Sequence, residues 1–274
     1  MELWAFFQAL IMGLVEGLTE FLPISSTGHL IIVGDLIGFE DKGETFKIAV
    51  QLGAILAVLF EYRQRFVSVA VGVVSDQKAQ KFVLNLLIAF LPAAVMGLLF
   101  LKTIETYLFN PISVAAMLVI GGVLIIWAER REHAIRVKDV DDMTPLDAIK
   151  VGLAQMLALV PGTSRSGATI IGGLFIGLDR KVAAEFSFFL AVPTMVAATG
   201  YKLYKAREFL NLDDMALFAV GFVMAFFSGL LAVRTLVRYV SNHSFEIFGW
   251  YRIVFGGLIL ASWYFGWVSW DVPA

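Results

Sequence analysis

Glu16 and Glu20 stand four residues apart in an apolar run that continues into "FLPISSTGHL", Phe21 to Leu30. On a helix that spacing puts both carboxylates on one face, with β-carbons about 5–6 Å apart. Like charges there repel, and each acid at the centre of a membrane-spanning helix costs about 2.5–3.5 kcal/mol on the insertion scale. A cation, a shared proton, an arginine or water must compensate. Two carboxylates plus substrate oxygens suit a divalent cation, Mg²⁺ or Ca²⁺. Beyond Pro23, the hydroxyls of Ser25, Ser26 and Thr27 mark a helix start. Ser25 or Ser26 can cap it, and the N–H groups of such an end attract phosphate. Three hydroxyls exceed the need of one cap. His29 follows at once, within reach of nucleophilic or acid–base work. A buried structural histidine is the plainer alternative.

A second polar break, "PGTSRSG", spans Pro161 to Gly167. Thr163, Ser164 and Ser166 supply hydroxyls, and Arg165 is the only charged residue between Lys150 and Asp179. A buried guanidinium needs an anionic partner. Glu16 or Glu20 would serve, and so would a phosphate gripped by a bidentate fork. Arg252 lies near the start of an apolar stretch and is expected to snorkel. His133 and His243 sit among charged loop residues and are expected in water.

These residues must be positioned by elements that live in lipid. The chain has 274 residues, 59% hydrophobic and 16% charged, against roughly 25% charged in a soluble domain. A net charge of −2 gives no reason to expect a nucleic-acid partner, and the lack of cysteine excludes disulfides and thiolate chemistry. The apolar N-terminus carries Glu16 and Glu20 and lacks a basic start, so it makes a poor signal peptide. Six stretches are long enough to span: 44–61, 82–101, 112–128, 183–201, 215–233 and 247–268. Pro92 and Pro193 fall inside two of them and are expected to kink them. Residues 4–38 and 146–177 are each too long and too broken for one span. Each reads as two half-helices meeting at its polar break, a turn that protein or a water-filled cavity must cover.

The two broken regions match at a constant offset of 139 residues. Gly13 falls on Gly152, Ser25 on Ser164, Thr27 on Ser166, Gly28 on Gly167 and Gly38 on Gly177. The expected fold is an all-α polytopic membrane protein, a single domain of two halves, about 1–138 and 139–274. Each half is a re-entrant helix hairpin plus three transmembrane helices. Three spans end on the far side of the membrane, so the second half is inserted upside down, an inverted-topology repeat with six full spans and two re-entrant hairpins. Loop charge orients it. Arg63, Arg65, Lys78 and Lys81, then Arg130, Arg131, Arg136 and Lys138, then Arg234 and Arg238, mark cytoplasmic loops. Lys202, Lys205 and Arg207 run against that pattern.

The facing breaks thus form a phosphate pocket with apolar walls, suited to a phosphorylated lipid reached from the bilayer. A lipid transporter is the competing class, because broken helices in inverted repeats are its usual plan. The carboxylate pair and histidine beside phosphate binders favour hydrolysis.

At "EGLTEFLPISSTGHL" and "PGTSRSG" the chain resembles the bacterial undecaprenyl-diphosphatase family, also called BacA or UppP, over nearly its whole length. The family's acidic motif, Glu or Gln followed four residues later by Glu, is matched by Glu16 and Glu20. Its Pro-Gly-x-Ser-Arg-Ser-Gly motif is matched by Pro161 to Gly167. The resemblance implies a multi-pass inner-membrane phosphatase, linked to bacitracin resistance. Such an enzyme hydrolyses undecaprenyl diphosphate and so recycles the carrier lipid for cell-wall synthesis. It also implies a site opening toward the periplasm, a divalent cation and a homodimer. On these residues Glu16 and Glu20 would hold the metal. Arg165 with Ser25, Thr27, Thr163, Ser164 and Ser166 would bind the phosphates. Ser26 or His29 would attack the terminal phosphorus, or His29 would activate water. The reading leans to Ser26 as nucleophile, with His29 and Glu20 handling protons.

Overall fold

The computed structural model describes residues 3–41, 45–131, 134–207 and 214–266. His133 lies outside them. The described residues form helices: α1 (Leu3–Glu20), α2 (Ser26–Leu36), α3 (Thr45–Glu61), α4 (Arg63–Gly72), α5 (Gln77–Leu108), α6 (Pro111–Glu129), α7 (Pro145–Gln155), α8 (Arg165–Phe175), α9 (Arg180–Ala206), α10 (Met215–Val240) and α11 (Glu246–Tyr264). Short 3₁₀ turns at Val140–Asp142 and Met156–Leu159 flank α7.

Local sequence explains the helix starts. Asn110 caps α6 ahead of Pro111. Thr144 and Asp147 cap each other's backbone around Pro145 at the start of α7. Proline is harmless at that first position, where its missing N–H would have no partner. Leu84, Leu87, Leu91, Val95 and Leu98 make an exposed stripe along α5. Their three- and four-residue spacing is one face of a helix, here the face that meets lipid.

Among the described residues six helices are long and apolar enough to cross a membrane: Leu3–Glu20, Gln77–Ile104, Pro111–Glu129, Arg180–Lys205, Met215–Val240 and Glu246–Tyr264. This corrects the expected set at two places. The first expected span, 44–61, ends as a 17-residue α3 and reaches spanning length only with α4, from which it bends by 76°. Arg63 and Arg65 open α4, so apolar length runs out there. Conversely, α1 is one continuous 18-residue helix that meets the criterion alone. Pro92 and Pro193 lie inside helices that continue through them.

Helix pairs approach through small residues, the usual route to close packing in lipid. A methyl group at Gly13 would strike the Gly221 carbonyl, and one at Gly17 would strike Ser228. Those contacts run α1 parallel to α10. On the other side Asn85 Nδ2 donates to the Met143 carbonyl at 2.9 Å and Ala89 backs onto Gly152, so α5 runs parallel to α7. α6 packs antiparallel on α11, with Gly122 against Gly249 and Ala115 against Gly256. One end of the bundle gathers ion pairs: Arg65–Asp141, Arg136–Asp147, Arg180–Glu129 at 2.7 Å and Arg234–Glu61 at 2.6 Å. The largest core cluster among the described residues reaches from Phe21, in the turn between α1 and α2, to Ile170 on α8 and Phe186, Phe188 and Leu190 on α9.

Candidate active site

The two polar breaks fold alike. Ser25 adopts φ 71° and its hydroxyl accepts the Gly28 N–H at 3.4 Å. Ser164 adopts φ 73° and its hydroxyl accepts the Gly167 N–H at 3.1 Å. They are the only non-glycine residues with positive φ among the described residues. Such a backbone costs about 1–3 kcal/mol and persists where surrounding contacts enforce it. Ser25, not Ser26, is therefore the cap, and the Ser26 hydroxyl is left for other work.

That hydroxyl meets Glu20. Ser26 Oγ donates to Glu20 Oε2 at 2.5 Å, while Arg165 Nη2 donates to Glu20 Oε1 at 3.1 Å. A residue from each turn thus grips one carboxylate. Of the two carboxylates offered to Arg165 by the sequence, it takes Glu20. Its Nη1 also donates to the Ser187 carbonyl at 3.0 Å, and its Nε is buried without a partner. Ser166 Oγ crosses between turns to the Leu22 carbonyl at 2.8 Å and lies 3.1 Å from Ser164 Oγ. Glu20, Ser25, Ser26, Thr27, Ser164 and Arg165 line one cavity of about 220 Å³. The Thr163 hydroxyl is buried beside this turn with no partner.

Three further polar residues line that cavity: Gln51, Gln155 and Thr194. Thr194 Oγ1 donates to Gln155 Oε1 at 3.3 Å. Gln51 carried a signal, a polar group inside an apolar span. Thr194 carried none. The cavity shares Ala93, Leu159, Thr194 and Ala198 with an apolar groove of about 290 Å³ between α5 and α9, walled by Phe90, Leu98, Leu101 and Ala197. A polar chamber adjoining an apolar groove suits a molecule with a charged head and a long hydrocarbon tail.

Glu16 lies one turn back on α1, fully buried, with neither carboxylate oxygen hydrogen-bonded. A carboxylate so placed calls for a cation or a proton. Among the described residues no cluster of three or more His, Asp or Glu is arranged as a metal cage. Glu16 is left open to either, whereas both oxygens of Glu20 are engaged, by Ser26 and by Arg165.

His29 faces away. Its Nδ1 lies 2.8 Å from the Ser25 carbonyl and its Nε2 2.7 Å from the Tyr251 hydroxyl. The ring stacks on Phe255 at 4.5 Å between centroids, and the residue is not among those lining the cavity. His243 is exposed, as expected, and stacks on Tyr239.

Arg252 corrects the expectation of snorkelling. It is fully buried and makes five hydrogen bonds, all to backbone carbonyls. α11 begins at Glu246, so Arg252 sits well inside the helix and points at the turns rather than at the membrane edge.

Comparison with known proteins identifies the family. The family profile described as "Bacitracin resistance protein BacA" matches residues 9–258. The chain is 61% identical over 264 residues to a Dechloromonas aromatica protein named undecaprenyl-diphosphatase, covering 96% of each. A Nitrosospira multiformis protein of that name is 61% identical over 272 residues, covering 99% of this chain and 100% of the relative. One from Pseudomonas savastanoi is 59% identical over 271 residues, covering 98% of each. Both broken turns, Glu20, Ser26 and Arg165 all fall within the matched residues, and the chain belongs to the BacA family.

Proposed function

We propose that this multi-pass membrane protein hydrolyses undecaprenyl diphosphate to undecaprenyl phosphate and inorganic phosphate, and so supports cell-wall synthesis and bacitracin resistance. The carrying observation is the meeting of Glu20, Ser26 and Arg165, drawn from two distant turns, in a chamber that adjoins an apolar groove. The relatives' names supply the substrate, and the groove suits its tail. The transporter reading has no observation of its own.

In the proposed chemistry the terminal phosphate lies against Arg165 Nε and the hydroxyls of Thr163, Ser164 and Thr27. Ser166 and Ser25 hold the turns that present them. Ser26 Oγ attacks the terminal phosphorus and its proton passes to Glu20 Oε2. The bond to the bridging oxygen breaks and undecaprenyl phosphate leaves. Glu20, having passed that proton to the departing undecaprenyl phosphate, takes a proton from water, whose oxygen attacks the phosphoserine, and returns it to Ser26 Oγ as the serine–phosphorus bond breaks. Inorganic phosphate departs and Ser26 is restored. Arg165 stabilises charge gathering on the equatorial oxygens, where most catalysis of phosphoryl transfer lies. A divalent cation, Mg²⁺ or Ca²⁺, would be held by Glu16 and Glu20 and would neutralise phosphate charge when bound.

The finer architecture is also a proposal: an inverted-topology repeat, each half a re-entrant hairpin plus three spans. Its support is the pairing of helices. α1 packs on α10 as α7 packs on α5, each hairpin lying on a span of the other half. The shared end of ion pairs places the start of α5 and the end of α10 together, so α1 and α7 run oppositely. The basic loops at that end favour the cytoplasm, which turns the chamber toward the periplasm of an inner membrane. A homodimer remains part of the proposal from family resemblance.

The test is phosphate release by purified protein in detergent from undecaprenyl diphosphate labelled at the terminal phosphate, with rapid acid quench. Label is expected on Ser26 of the parent and not on Ser26→Ala. Steady release without label on any residue would assign the attack to water, and no release at all would sink the diphosphatase reading.

A further inference from the structure

Two arginines stand near the two turns, and their hydrogen bonds divide their work. A guanidinium has five N–H donors. Arg165 spends only part of its set within the protein and keeps Nε buried and unpaired beside the chamber. Arg252 spends all five. Nε donates to Leu118 O at 3.2 Å and Nη2 to Met117 O at 3.0 Å, both on α6. The rest go to the turns: Nη1 to Pro23 O at 3.0 Å and Thr163 O at 2.9 Å, Nη2 to Gly162 O at 2.9 Å. No donor remains for a phosphate oxygen. The guanidinium reaches both turns and α6 at once.

Its neighbour on α11 completes the grip. The Ser25 carbonyl can only accept, so His29 Nδ1 carries the proton and Nε2 accepts from the Tyr251 hydroxyl. The chain Tyr251–His29–Ser25 ends on the positive-φ residue immediately before Ser26. Both His29 ring nitrogens are consumed in it.

We infer that Tyr251 and Arg252 are positioning residues: side by side on α11, they pin the carbonyls of both turns and so set Ser26 opposite Arg165 across Glu20. His29 acts as the link in this brace and not as a proton carrier. The inference rests on the proposed role of Ser26, but the brace itself is a statement about turn geometry. Gly121 belongs to the same device, since a methyl group there would run into the Arg252 guanidinium.

The experiment has two readouts. The first is the kcat and KM of phosphate release, with its pH profile, for Arg252→Met, Gly121→Ala, Tyr251→Phe and His29→Asn. The second uses Thr27→Cys in each background, a single thiol because the chain has no cysteine. Its rate of labelling by a water-soluble maleimide reports the posture of the first turn. Arg252→Met and Gly121→Ala are expected to lower kcat about 100-fold with KM within about threefold, as a misplaced reacting group does. Thiol labelling should change severalfold in both. Tyr251→Phe, which folds with its ring in place, should lower kcat about fivefold, the factor one neutral hydrogen bond carries. His29→Asn keeps a donor near the Ser25 carbonyl and should retain activity within about tenfold, with the pH profile unchanged. Three results would overturn the brace: labelling that matches the parent in all four backgrounds, a rise in KM with kcat intact in Arg252→Met, or loss of a pH limb in His29→Asn. If the parent releases no phosphate, the diphosphatase reading falls, and the labelling rates alone still decide the brace.

Discussion

Ser25 and Ser164 cap two helices of equal length, Ser26–Leu36 and Arg165–Phe175, from the same unusual backbone region, and glycines at φ 63° and 85° follow both. The backbone is common to the two turns; the chemistry is not. At the constant offset, Glu16 faces Gln155, Glu20 faces Leu159, Ser26 faces Arg165 and His29 faces Ala168. In the proposed chemistry the first turn holds the acids and the hydroxyl that attacks. The second would supply the cation that receives the phosphate, Arg165. Ser26 and Arg165 occupy the same place in their turns and bind the two oxygens of one carboxylate. Under the proposed repeat, the strained caps are the inherited scaffold and the reacting groups are what each copy acquired. Neither turn forms a site alone.

The comparison breaks most sharply at the contact between turns. Arg165→Ala and Glu20→Ala should each lower phosphate release by about 10³-fold or more, the scale of a lost arginine in phosphoryl transfer, with the thermal unfolding midpoint in detergent nearly unchanged. Activity within a few-fold of the parent in either variant would refute the division of labour. Glu16→Gln makes the first turn resemble the second and is a gentler change. It should leave kcat at saturating Mg²⁺ within about threefold while raising the half-saturating Mg²⁺ concentration about tenfold or more. An unaltered metal titration would remove Glu16 from the cation's ligands. The smallest effect tests the shared scaffold. Ser25→Ala and Ser164→Ala should each cost about 1 kcal/mol of stability through the lost cap. The corresponding glycine variants should cost less, because glycine takes positive φ without strain. Unequal costs at the two positions would mean that the turns are less alike than their backbones.

The sequence alone determined the helical membrane class and both broken turns, and it singled out Glu20, Ser26 and Arg165, while the cap stayed open between Ser25 and Ser26. All of these are written in local composition and short spacing: apolar length, proline and hydroxyl breaks, one charge in a long apolar run. It also exposed the offset between the turns. Only the tertiary structure decided which acid Arg165 meets, because Glu20 is 145 residues away in the chain. The same holds for Gln51 and Thr194, which enter the chamber from other helices, and for His29, whose ring turns toward α11. Arg252 shows the limit most plainly. Its position in an apolar stretch suggested an escape to the membrane edge, yet five carbonyls from three segments close around it. Hydropathy reports the cost of burying a charge; only the packed fold reports the partners that offset it.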